Sequence, residues 1–457
     1  QRHNNPAPPR VLKLWRSTMK LIKSLLLGSA AGLAAVAGAQ AADLPAKKAV
    51  AVEYVRVCSA YGAGFFYIPG TETCLRIGGR VRADYLFGEP TTRAEDLFGF
   101  RTRGRIQADA RTQTAYGTLR SVVRFEITRS SGSPFGNTGV VGASGANVSQ
   151  AFIQFGGLTA GRVTSFFSNG DLPTGHMGTL RFDDAPDVAL LAYTFSFGNG
   201  FSASISLEDG LERRSGLLTE TFVVNPGTPD EEVLGGTLAY AGQRLPDLVG
   251  NVKYTATWGT AQISGAVHQI RSVVLTGTNV PGPAFIGTIP DNEYGFAVAG
   301  YLGVNLPMLG AGDALWFAAT YADGAPAYAD GGISGAVINP TAAYENGFPA
   351  FVDASLDPDT GELQKSRVWS LAAGLNHYWT PQLRSSFFGS YLNSDGRLAF
   401  NAAADFREYR VGANLIWQPV AGLDLGVEVI YANVDLRGPL NRDSDGFEGR
   451  LRIQRDF

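Results

Sequence analysis

Nine arginines lie on one face of three consecutive alternating segments: Arg76, Arg80 and Arg82, then Arg101, Arg103, Arg105 and Arg111, then Arg120 and Arg124. Only Asp84, Asp109 and Glu126 share that face, so nine cations against three anions leave a surplus of six. Guanidiniums at this density repel one another unless water, salt or facing carboxylates compensate. The natural counterpart is the segment 165–187, which carries Asp171, Asp183, Asp184 and Asp187 against Arg181. Two opposed charged walls would set up a transverse field that orients dipolar solutes and sorts ions. The arginines could instead be divided among rim positions, ion pairs within the wall and contacts to lipopolysaccharide.

Bond-making chemistry finds little support. Beyond residue 41 the histidines are His176, His268 and His377, spread over a loop and two strands, and no G-x-S-x-G elbow or metal-spaced cluster accompanies them. Neither a catalytic set nor a metal or other cofactor is expected. Cys58 and Cys74, the chain's two cysteines, enclose a 17-residue loop, which predicts a structural disulfide in an oxidising compartment.

The elements that position these residues come from the order of the chain. Met19 is followed by Lys20 and Lys23, a small apolar stretch over 24–38, and Ala39-Gln40-Ala41, the pattern of a cleavable secretory signal. Residues 1–18 read as an upstream extension foreign to the protein, 19–41 as the signal, 42–73 as an N-terminal periplasmic segment and 74–457 as a membrane domain. The whole chain has 38 basic and 41 acidic residues. Removing residues 1–41 deletes six basic residues and no acids, leaving 32 against 41, and no nucleic-acid partner is expected of so acidic a chain. No later stretch supplies the roughly eighteen consecutive apolar residues of a spanning helix.

Period-two alternation decides what the exported chain is. In 75–87 the odd positions are apolar, aromatic or small and the even ones mostly charged, and the same pattern recurs at 100–111, 119–127, 408–417 and 423–431. Long strands with one apolar and one polar face, and no helices to cover the apolar face, fit a lipid-facing barrel. Strands are expected at about 74–87, 97–113, 116–128, 149–157, 158–164, 188–197, 201–209, 250–258, 261–270, 292–304, 313–322, 367–379, 383–392, 405–418, 423–434 and 446–457. Tight links alternate with long ones at 129–148, 165–187, 210–249, 271–291 and 323–366, as in barrels with short periplasmic turns and long external loops. The segment 234–243 also reads as a strand, but counting it would move a long connection to the short-turn side, so it belongs inside an external loop. The fold class is therefore all-β, a transmembrane antiparallel barrel of about 16 strands. Phe155, Phe197, Trp258, Trp379, Trp417 and Phe457 fall at one interface and Phe87, Tyr321, Tyr391 and Tyr431 at the other, as aromatic girdles require.

The run from Val57 through Cys58-Ser59-Ala60-Tyr61-Gly62 and Cys74-Leu75-Arg76-Ile77-Gly78-Gly79-Arg80-Val81-Arg82 resembles the opening of the alphaproteobacterial (Rhizobiales-type) porin family of rhizobia and brucellae. Gln150 to Phe155, Gly161-Arg162, Ser165-Phe166-Phe167, Gly259 to Gln269 and the final strand are similar too. The resemblance implies a multi-pass protein of the bacterial outer membrane, a homotrimer passing ions and small hydrophilic solutes, with the third loop folded inward against the arginine face. It also implies that Phe457 is the terminal aromatic read by the outer-membrane assembly machinery, and that lipid and lipopolysaccharide surround the barrel. A substrate-specific channel, an outer-membrane enzyme and a purely structural or adhesive barrel are the rival readings.

Overall fold

Pairing of alternating strands builds most of the described chain. A computed structural model describes residues 56–90, 93–135, 137–143, 145–224, 232–238, 240–273, 291–331, 351–356, 362–397, 405–437 and 442–457. The signal segment and its cleavage site, and residues 42–55 of the 42–73 segment, lie outside the described residues. Sixteen strands form the barrel: β1 Cys74–Gly88, β2 Phe98–Thr114, β3 Gly117–Gly132, β4 Asn147–Phe155, β5 Leu158–Thr164, β6 Asp187–Gly198, β7 Phe201–Glu208 and β8 Asp247–Ala256. The circuit continues through β9 Gly259–Ile270, β10 Glu293–Asn305, β11 Ala314–Asp323, β12 Arg367–Thr380, β13 Leu383–Asp395, β14 Phe406–Val420, β15 Leu423–Leu436 and β16 Arg442–Asp456. Each pairs antiparallel with the next, and β1 closes the ring on β16 from Arg80↔Asp456 to Gly88↔Glu448. Closure matters in hydrocarbon, where an unpaired edge would leave peptide groups without partners.

The two ends of the barrel differ as expected. Two-residue links join β2 to β3, β4 to β5, β6 to β7, β8 to β9, β12 to β13 and β14 to β15, while the opposite end carries the long connections 165–186, 209–246, 271–292 and 324–366. The β8–β9 turn depends on Gly259, whose φ of 145° lies in the region that favours glycine and whose side-chain position is occupied by the Gly303 carbonyl. The segment near 234–243 falls in the 209–246 connection. Its described strand, Glu232–Leu238, joins a separate sheet with Leu217–Val224, Ala354–Leu356 and Leu363–Lys365, so it adds nothing to the barrel count.

Burial is inverted relative to a soluble protein. Val411 and Ile263 on the outside are 58% and 73% exposed, whereas Arg410 on the inside is 2% exposed. The outer face is built to meet lipid, and its aromatic pairs mark one rim: Phe87 with Phe98, Trp369 with Tyr391, and Tyr409, Tyr431 and Phe447 in a row. Phe155, Phe197, Trp258, Trp379, Trp417 and Phe457 are exposed at the short-turn end. Among the described residues no helix is long and apolar enough to cross a membrane.

At the short-turn end the Cys58–Cys74 disulfide is present, with its Cα atoms 5.9 Å apart. It packs with Tyr61, Phe65 and Tyr67, and the Arg111 guanidinium lies 4.8 Å from the Phe65 ring centre. Further along β1 the last residue is held by backbone pairing: Gly79 N–H donates to the Phe457 carbonyl at 2.9 Å, and Phe457 N–H to the Gly79 carbonyl at 3.0 Å.

Candidate functional site

Alternation turns every second residue of β16, β1, β2 and β3 into the barrel, which gathers the arginines on one inner wall. Antiparallel register then sets Arg80 directly opposite Arg105, Arg82 opposite Arg103 and Asp84 opposite Arg101. Most of these cations are compensated sideways, within the wall. Arg80 Nε donates to Asp456 at 2.5 Å, Arg105 Nε to Glu126 at 2.5 Å, and Arg101 Nη2 to Asp84 at 2.7 Å. Arg111 and Arg120 share Asp109 near the short-turn end, with Nη2 to Oδ2 distances of 2.8 and 3.0 Å. Arg124 Nε finds a neutral acceptor, Gln107, at 2.8 Å. Arg76 stands exposed near the start of β1.

The connection 165–186, third on the long-loop side, enters the barrel and lies against the inner faces of β8 to β16, away from the arginines of β1 to β3. Apolar anchoring comes from Phe167, Leu180 and Phe182, which join Trp316, Tyr328 and Phe388 in the largest buried cluster. The rest of the path is fixed by polar groups aimed inward from successive strands. Asn251 of β8 donates to the Phe166 carbonyl at 2.6 Å, Asn376 of β12 to Pro173 at 2.5 Å, and Asn414 of β14 to Gly175 at 2.7 Å. At the far end Glu428 of β15 accepts the Met177 and Gly178 N–H groups at 2.7 and 2.6 Å, and Arg450 of β16 donates to the Met177 carbonyl at 2.6 Å. On the return, Arg181 Nε donates to Glu408 at 2.7 Å and its Nη1 to the Asp330 carbonyl at 3.0 Å.

The carboxylates of this loop are arranged differently from a row facing the arginine wall. Asp183 is fully buried and engaged by Arg213, from the 209–246 connection, at 2.7 Å; Ser168 donates to it as well. It was expected to face the arginines, and the cation that reaches it comes instead from a distant external segment. Asp171 pairs at 2.5 Å with Lys253 of β8, and Asp187 accepts from Gln150 and Thr164 at 2.7 and 3.0 Å. Asp184 is exposed, 3.8 Å from Nε2 of His176, whose ring is enclosed by Phe182, Trp316 and Phe388.

Two water-accessible recesses flank the loop. The outer one, about 560 Å³, is lined by Arg103, Glu126, Arg162, Asp187 and Glu212 among others; the inner one, about 310 Å³, by Arg80, Arg82, His176, Arg384 and Arg452. Arg450 and Arg452 extend the basic wall onto β16, and Arg452 Nε donates to Asp84 at 2.6 Å. Sequence reading passed over both, although Glu448, Arg450, Arg452, Gln454 and Asp456 alternate as clearly as the residues of β1. It also missed Glu408, Arg410 and Glu428, because their role depends on a loop more than two hundred residues away. The histidines stay apart: His268 contacts Asp247 at 2.8 Å and His377 contacts Asp313 at 2.6 Å. Among the described residues no group of three or more His, Cys, Asp or Glu side chains is placed to hold a metal.

A closed sixteen-stranded barrel, apolar outside, charged and water-accessible inside, with one loop laid across its interior, is an outer-membrane channel. The family model described as the porin subfamily matches residues 43–445, and the chain belongs to that family. It is 41% identical to the porin Omp2b of Brucella suis over 271 residues, covering 57% of this chain and 69% of the relative. It is 40% identical to Omp2b of Brucella abortus (strain 2308) over 256 residues, covering 54% and 65%, just under two thirds of that relative's length. Among solved structures, the outer-membrane channel DcaP of Acinetobacter baumannii shares the fold with a TM-score of 0.60 at 16% identity, over 86% of this chain and 99% of that one. The protein is thus an outer-membrane porin, and the family and its relatives' names point to a channel rather than an enzyme.

Proposed function

We propose that the channel passes ions and small hydrophilic solutes passively, and that its filter lies between the inward loop and the arginine wall of β16 and β1–β3. The observation that carries this reading is the loop itself, pinned across the interior by side chains of β8 to β16 while water-accessible recesses remain on both sides of it. Charged side chains on a narrow lumen act as a steric and electrostatic filter. Of the residues singled out in the sequence, Arg80, Arg82, Arg101, Arg103, Arg105 and Arg124 belong to this filter, with Asp184 and Asp187 as the acids left near it. Arg76 and Arg120 act at the inner mouth, whereas Asp171 and Asp183 fix the loop. No substrate is transformed. The channel works as a homotrimer, surrounded by lipid and lipopolysaccharide, and Phe457 serves the assembly machinery as a terminal aromatic.

Liposome swelling tests the reading. Vesicles containing the refolded chain should swell in neutral sugars at rates that fall smoothly as the sugar grows. Swelling for a single solute only would replace the general filter with a substrate-specific channel, and no swelling at all would remove diffusion. The specific-channel reading has one observation in its favour, the incomplete compensation of the Arg82–Arg103 pair.

A further inference from the structure

The two directly opposed arginine pairs of β1 and β2 are compensated in different ways. In the Arg80–Arg105 pair each guanidinium has a carboxylate of its own, Asp456 and Glu126, both at 2.5 Å. In the Arg82–Arg103 pair neither has one. Arg82 Nε donates to the Gln454 amide oxygen at 2.8 Å and Arg103 Nε to the Thr128 hydroxyl at 3.0 Å. The carboxylate nearest Arg103 is Glu126 at 3.9 Å, already engaged by Arg105. Asp84, which faces this level of the wall, is shared by Arg101 and Arg452 at 2.7 and 2.6 Å. Arg82 and Arg103 are thus held by neutral acceptors, while the one carboxylate on this part of β1 is already taken by Arg101 and Arg452.

Like charges directly opposite each other across two strands are destabilising, so such a pair persists at a cost that a bound anion would relieve. The neutral acceptors add a geometric point. Each takes the Nε hydrogen, which fixes the guanidinium plane and leaves the Nη donors to other partners. Arg103 lines the outer recess and Arg82 the inner one. Because the two residues are register partners, a side chain of the outer recess and one of the inner recess stand next to each other on the wall.

We propose that Arg82 and Arg103 form a saturable subsite for a small tetrahedral dianion of the hydrogen phosphate class, occupied as the solute passes from the outer recess to the inner one. A monocarboxylate can satisfy one guanidinium fork, whereas two opposed forks call for a doubly charged group with three or four acceptor oxygens. The proposal rests on the diffusion reading above for its physiological role, but the site can be tested without conduction.

Isothermal titration calorimetry of the refolded full chain in detergent, with inorganic phosphate at pH 8 in potassium chloride, provides the test. The expected result is saturable binding, at least tenfold weaker in Arg82→Gln/Arg103→Gln. Arg82→Lys/Arg103→Lys, which keeps the charge and loses the forks, should also bind several-fold more weakly. Arg271→Gln/Arg367→Gln, which removes two charges at the external end, should bind like the parent. Heat-modifiable migration in gels confirms that each variant has folded. No saturable heat in the parent, unchanged affinity in the Gln pair, or an equal loss in the external pair would overturn the proposal. Conductance in chloride alone reads the diffusion channel separately: phosphate binding by a silent barrel keeps the subsite and removes the diffusion reading, and conduction without phosphate binding does the reverse.

Discussion

Glu428→Gln should loosen the far end of the inward loop while leaving the barrel intact. Glu428 accepts the N–H groups of Met177 and Gly178 at 2.7 and 2.6 Å, and the Asn414 amide at 3.0 Å. Glutamine keeps one acceptor oxygen and replaces the other with an NH₂ group, which meets a main-chain N–H head-on. A buried N–H left without its acceptor costs about 1–3 kcal/mol. Hydrogen bonds to Glu428 from both loop amides make this residue the main anchor of that end, with Arg450 and Asn414 remaining as secondary ties. A loss of about 1–3 kcal/mol lowers the ratio of docked to undocked loop about 5- to 150-fold. In planar bilayers the variant should show raised open-channel current noise and brief partial closures. Its thermal unfolding should match the parent's, because the sixteen-strand ladder is untouched. Asp424→Asn, at a residue whose hydrogen bonds come from Arg384 and Gln418 rather than from the loop, should stay quiet. A trace from Glu428→Gln as quiet as the parent's, with equal protease resistance of the loop, would refute the assignment of Glu428 as the anchor.

Three other outcomes are expected. Reducing the Cys58–Cys74 bridge, which closes a loop of 16 residues' separation, removes about 3 kcal/mol of constraint from the segment before β1; that segment should become protease-sensitive while the barrel still migrates as folded. Burial pushes the Asp353 carboxyl, in the 324–366 connection, well above the usual carboxylate range. A raised folded-state pKa stabilises the docked segment at low pH, and this contribution declines as pH rises from about 3.9 through the folded value; Asp353→Asn should therefore resist proteolysis better than the parent at pH 7.5, with the difference closing toward pH 4, and a variant weaker at every pH would contradict this. Reversing Arg103 and Arg105 to glutamate should move the reversal potential toward cation preference, and an unchanged potential would take both residues out of the filter.

Local periodicity made the barrel legible. Over most of β1, β2, β14 and β15 the charged and apolar faces alternate, broken by inward apolar residues such as Leu86, Ile416 and Ile430, and the contrast between two-residue turns and long loops set both orientation and count. The boundaries shifted by a few residues where bulges intervene, as between Trp417 and Val420 and between Tyr378 and Thr380. The arginine wall was visible because its residues sit close together on adjacent hairpins. The inward loop's attachments were not, because they join positions far apart in the chain: Arg213 to Asp183, Glu408 to Arg181, Glu428 to Met177 and Gly178. A charge count in the loop cannot reveal that Asp183 is consumed by an arginine from another external segment. Resemblance to the family supplied the loop's inward direction, but the particular partners required the fold.

The most direct test of a water-filled channel with a basic lumen wall is the single-channel current of residues 42–457 in a planar bilayer, with the reversal potential recorded across a potassium chloride gradient. The account predicts stepwise, long-lived openings in groups of three, with a reversal potential of the sign that marks chloride as the preferred ion. A folded barrel that inserts and never conducts would contradict the channel, and a strong cation preference would contradict the arginine wall as its filter.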